Sequence, residues 1–126
     1  MPSFAGRMAG TRLAFAASVL LAPEPAPAPV RAEWSTGRQE MQIFFSPALR
    51  PEPTVDAEAW AFRVTPNEYS GGFAASSATS VVLSGPFSQS PGFGQVVSYD
   101  GSDALLVGAD GQPVASFVNF PVDVVA

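Results

Sequence analysis

The chain has 126 residues, a net charge of −5, and no cysteine, histidine or lysine. Those absences exclude Ser–His and Cys–His nucleophile pairs, lysine Schiff bases, His/Cys zinc sites and the phosphate-loop lysine. Acid–base work at neutral pH is left to carboxylates or to the two tyrosines, Tyr69 and Tyr99, and the acidic balance disfavours nucleic acid and anionic lipid as partners.

Arg7 and Arg12 precede an apolar run at residues 13–22 (LAFAASVLLA). Pro23, Pro25, Pro27 and Pro29 follow, and then Val30-Arg31-Ala32, with small side chains where a signal peptidase looks. Positive charge, short apolar segment and small-residue site form the layout of a secretory signal peptide, with cleavage expected after Ala32. The apolar run is too short to span a bilayer. The prolines suit an extended linker rather than a helix or strand. The expected organisation is a signal peptide with a proline-rich end at residues 1–32 and one domain at residues 33–126, periplasmic or extracellular. With no disulfide available, that domain must be held by apolar packing.

Beyond residue 32 the hydrophobic period is two. Residues 40–46 (EMQIFFS) put Met41, Ile43 and Phe45 on one face. Residues 57–65 (AEAWAFRVT) put Trp60, Phe62 and Val64 opposite Ala59, Ala61 and Arg63, which predicts a half-buried strand. Further strands are predicted at residues 79–84, 95–99, 104–108 and 114–120, with a seventh at the C-terminal end after Pro121. Asp100-Gly101 and Asp110-Gly111 punctuate the last of these as tight turns, suggesting a meander. Residues 46–56, 66–78 and 85–94 are rich in proline, glycine and serine and read as long loops. No segment after residue 32 reads as a stable helix. The expected fold is all-β: a small antiparallel β-sandwich, immunoglobulin-like or similar, of six to seven short strands, ahead of a small open barrel.

Two residue groups suggest sites. Tyr69, Phe73, Phe87 and Phe93 are aromatics inside glycine-rich loops, able to form a recognition surface or to fold back over the core. Tyr69, between Glu68 and Ser70, is expected to be the exposed one. Asp100, Asp103 and Asp110 lie within eleven residues and could offer oxygens to calcium, although aspartate beside glycine is ordinary turn chemistry and the spacing fits no EF-hand. Trp60 and Phe62 are expected in the core, and Trp34 at a chain end. The terminal strand could pair at home or be donated to a partner.

Together these features describe an exported, non-catalytic binding or structural module of the bacterial cell envelope. Its contacts would run through the Gly/Ser/aromatic loops or a sheet edge, to an envelope protein or polysaccharide, with no cofactor and no membrane span. The alternative is a calcium-dependent or carbohydrate-binding protein using the acidic turns.

Overall fold

Large apolar side chains on every second residue can be buried only if each strand turns one face to a common core. The computed structural model, which describes residues 26–126, shows that arrangement. The strands are β1 (Ala28–Ser35), β2 (Glu40–Ser46), β3 (Glu52–Val55), β4 (Trp60–Val64), β5 (Asn67–Ser70), β6 (Phe73–Ser76), β7 (Ser80–Ser84), β8 (Ser88–Pro91), β9 (Gln95–Tyr99), β10 (Phe117–Pro121) and β11 (Asp123–Val125). A single 3-10 turn, Ala57–Ala59, joins β3 to β4. One sheet has six strands in the order β11-β1-β2-β7-β6-β3, the other five in the order β10-β9-β4-β5-β8. The molecule is a β-sandwich.

The core lies between the sheets. Ala32, Trp34, Met41, Ile43, Phe45, Val81 and Leu83 come from the six-stranded sheet and meet Trp60, Phe62, Val64, Tyr69, Val97 and Tyr99 from the other. Two aromatic groups bridge the layers. Trp34 lies 5.1 Å from Tyr69 and 5.3 Å from Phe62 between ring centroids, and Phe87 packs edge-on against Phe62 at 5.2 Å. Trp60 sits 4.7 Å from Tyr99, with Phe45 and Phe117 against its edges. Such contacts add to area burial through ring electrostatics and supply the cohesion that disulfides give many exported domains.

Several details differ from the sequence expectation. The described residues hold eleven strands rather than six or seven. The predicted loops contain β3, β5, β6 and β8, each only four residues long. All four residues of β8 are exposed, so no apolar alternation marks it. Residues 104–108 form no continuous strand: Ala104 and Leu105 turn, with the Asp103 carboxylate accepting from the Leu105 N–H, Leu106 drops into the core, and Val107 and Gly108 make only isolated bridges to Pro113 and Leu49. The suggested meander is absent. β10 pairs with β9, Val122 is buried as the chain changes layer, and β11 pairs with β1 in the other sheet. That last pairing is parallel, with Glu33 opposite Asp123, so the sandwich is not wholly antiparallel. The terminal strand pairs within its own chain.

Trp34, expected at a chain end, is 3% exposed inside the core. It lies on β1, which runs through the position where cleavage was expected: Ala32 is 1% exposed and pairs with Ile43 of β2. Pro27 is buried as well and lies against Gly108. The apolar run at residues 13–22 and the first of the prolines fall outside the described residues. Among the described residues no helix is long and apolar enough to cross a membrane.

Candidate functional site

The four loop aromatics do not form one surface. Tyr69 is 8% exposed, because its place opposite Phe62 in the β4–β5 ladder turns the ring inward, where the two stack at 5.0 Å. Its polar sequence neighbours hid that alternation. Phe87 is half-buried and closes the core beside Trp34 and Phe62. The chain reaches it past Gly72, whose φ of +80° suits glycine and whose hydrogen faces the Ser84 carbonyl and the Phe87 ring, where a Cβ would collide. Phe73 and Phe93 are 65% and 79% exposed. They stand at opposite ends of β5: Phe73 follows Gly71-Gly72, and the segment holding Phe93 is bonded to Thr65 and Pro66.

The three aspartates are also separate in role. Asp100 accepts from the Ser102 N–H and Asp110 from the Gln112 N–H, each closing its own turn beside a positive-φ glycine. Hydrogen bonds from Ser102 hold the Asp100 carboxyl below its ordinary pKa. Asp103 is buried, with Oδ1 accepting from Leu105 N at 2.8 Å and Oδ2 from Asp56 N at 2.7 Å. The Tyr99 hydroxyl accepts from Asp103 N at 3.2 Å; burial raises its pKa, and its hydrogen bond with the Asp103 backbone opposes that rise. Asp103 therefore ties the turn after β9 to the β3–β4 connection. Among the described residues, no three acidic side chains come close enough to hold a metal ion.

This tie carries a prediction. Asp103→Ala leaves two backbone N–H groups without their acceptor, at about 1–3 kcal/mol for each that stays buried. The expected loss is about 2–4 kcal/mol in urea unfolding, with Asp103→Asn, which keeps one acceptor oxygen, losing less.

Among the surface hollows of the described residues, one of about 240 Å³ lies beside Trp60, Tyr99, Phe117 and Val118. Another, about 430 Å³, lies between residues 54–58 and 72–74, with Asp103 and Leu105 also in its lining. Phe73 and Leu105, 65% and 51% exposed, give it an apolar lining that water covers in the free protein. Asp56 and Glu58 add two carboxylates, and neither is ion-paired; the pairs among the described residues join Arg31 to Glu33 and Arg38 to Glu40. Sequence reading named Phe73 but missed Leu105, which was assigned to a strand that does not form.

A third hollow, about 90 Å³, lies on the outer face of the five-stranded sheet. Alternation in β4 turns Ala61 and Arg63 outward, as predicted, and Glu68, Ser98 and Asn119 complete the polar lining. Arg63 Nη2 donates to Asn119 Oδ1 at 3.0 Å, while its buried Nε has no hydrogen-bond partner within the protein. A desolvated N–H in that condition costs about 1–3 kcal/mol. Neither Arg63 nor Asn119 was singled out from the sequence, since a lone arginine on the outer face of a strand carries no pattern.

No family model, no curated protein and no solved structure matches this chain.

Proposed function

We propose that the chain is an exported, non-catalytic binding module of the bacterial envelope, and that it receives a basic-and-apolar peptide segment of a partner protein in the hollow between residues 54–58 and 72–74. The observation that carries this reading is the meeting of two exposed apolar side chains, Phe73 and Leu105, with two carboxylates that no cation neutralises, Glu58 and Asp56, the latter also accepting from Glu58 N at 2.9 Å, in one concave site. Apolar anchors would supply affinity by leaving water, and the carboxylates would select arginine or lysine and speed encounter. Export rests on Arg7 and Arg12 ahead of the short apolar run at residues 13–22, and the non-catalytic reading on the absence of histidine, lysine and cysteine.

The test is a ¹⁵N–¹H NMR titration of the protein with a capped peptide alternating arginine and leucine. Amide shifts should concentrate at residues 54–58, 72–74 and 103–106. Phe73→Asp, a surface change expected to leave stability within about 0.5 kcal/mol, should abolish them, and a glutamate–leucine peptide should produce none. Shifts scattered over the surface, or equal shifts with both peptides, would count against the site.

A further inference from the structure

We propose that the peptide hollow continues past Glu58 into the hollow beside Phe117 and Val118, so that one partner segment seats two apolar side chains, one in each, with basic residues between them over Glu58. This rests on the peptide reading of the first hollow and adds to it the spacing of the partner's anchors.

The two hollows share a wall. Glu58, on the 3-10 turn Ala57–Ala59, lines both. The turn after β9 runs beside this 3-10 turn: Asp103 Oδ2 accepts from Asp56 N at 2.7 Å at one end, and Asp100 N donates to Ala59 O at 3.0 Å at the other. Phe73 and Leu105 line the hollow at the first end, and Phe117 and Val118 the hollow at the second. A 3-10 turn rises about 2 Å per residue, so Asp56 and Ala59 are separated by about 6 Å along it. A segment in polyproline II form advances about 3.1 Å per residue with three residues per turn. Two of its residues cross the 3-10 turn, and the side chains before and after them point the same way. An apolar-x-x-apolar spacing therefore reaches both hollows.

Charge decides the occupant. Asp56, Glu58 and Asp100 are exposed carboxylates of the two hollows, and among the described residues no arginine lines either one. The ion pairs lie elsewhere, at Arg31–Glu33 and Arg38–Glu40. Three like charges around one turn repel an acidic partner, and basic residues set over Glu58 relieve their mutual repulsion. The second hollow also has its apolar wall in place. The β9–β10 ladder shifts register between Phe117 and Phe120, and Val118, inside that irregularity, is 76% exposed. Phe117 packs on Trp60 at 5.8 Å and Tyr99 at 6.0 Å, and Asn119 N donates to Ser98 Oγ at 2.9 Å. Val118 thus stands between two held residues, which limits the entropy lost when a partner side chain packs against it.

The experiment is a ¹⁵N–¹H NMR titration of the full chain with two capped peptides of equal charge, leucine-arginine-arginine-leucine and glycine-arginine-arginine-leucine. The two-leucine peptide should bind about tenfold more tightly, as the burial of one further leucine implies. It should shift amides at residues 98–100 and 117–118 as well as those of the first hollow. Val118→Ser removes the apolar wall and keeps the charge. That variant should bind the two-leucine peptide no more tightly than the unmodified chain binds the one-leucine peptide, and its affinity for the one-leucine peptide should not change. Equal affinity for the two peptides, or a preference that survives Val118→Ser, overturns the proposal; shifts at residues 54–58 and 72–74 in the same titration would leave the first hollow standing. Binding of neither peptide removes both. Shifts at residues 98–100 and 117–118 that follow the concentration of the chain alone would assign the second hollow to a second copy and also overturn the proposal.

Discussion

Trp34→Ala should lower the unfolding free energy by about 3–5 kcal/mol, the range for truncating a large buried aromatic. Domains of this size have about 5–15 kcal/mol in total, so the variant should unfold at a much lower urea concentration with a similar slope. The magnitude follows from position. Trp34 is 3% exposed and contacts Phe62, Tyr69 and Phe87, three rings that themselves come from β4, β5 and the segment after β7. Removing it opens a cavity that the flanking strands cannot collapse into without breaking their ladders. Trp34→Phe keeps most of the volume and should lose less than half as much. A loss below about 1 kcal/mol for Trp34→Ala would mean that β1 is not packed as described.

The second large effect concerns where the folded chain begins. A protein starting at Glu33 lacks residues 28–32 of β1 and buried Pro27. It loses the pairings of Ala28 with Ser46, Pro29 with Phe45, Arg31 with Phe44 and Ala32 with Ile43, and the Arg31 guanidinium 4.2 Å above the Phe44 ring. Uncovering roughly 100 Å² of apolar surface on β2 costs about 2.5 kcal/mol, and each lost ladder bond adds about 1 kcal/mol. Fewer ordered residues offset part of this. The net expectation is a loss of about 3 kcal/mol relative to a chain starting at Ala26, read from the two urea midpoints. Equal midpoints would show that residues 26–32 contribute nothing to the fold.

The legible parts of the fold were those where one face of a strand is apolar. β2 and β4 were marked by that alternation, β7 and β9 by short β-branched runs, and Trp60 and Phe62 lie where the alternation put them. Strands lined by serine, glycine and proline were not legible. β6 and β8 exist because neighbouring ladders supply partners, a tertiary cause that leaves no local period. β1 was obscured differently: Pro27 and Pro29 look like a linker, yet Pro29 sits at the beginning of β1 beside an irregularity in its register. The turn chemistry of Asp100 and Asp110 was readable from the glycine that follows each. Asp103 was not, because its partners, Asp56 N and Leu105 N, are fixed only by the folded chain. Of the loop aromatics, Phe73 and Phe93 reach the surface, and strand register alone decided that Tyr69 does not.

The intact mass of the native protein in each cell fraction tests most directly the claim of an exported module whose sheet begins at β1. The account predicts a periplasmic or extracellular species whose first residue is Pro27 or lies before it, retaining all of β1. A full-length species confined to the cytoplasm would contradict export, and an exported, stably folded species beginning at Glu33 would contradict the assignment of β1 to the working domain.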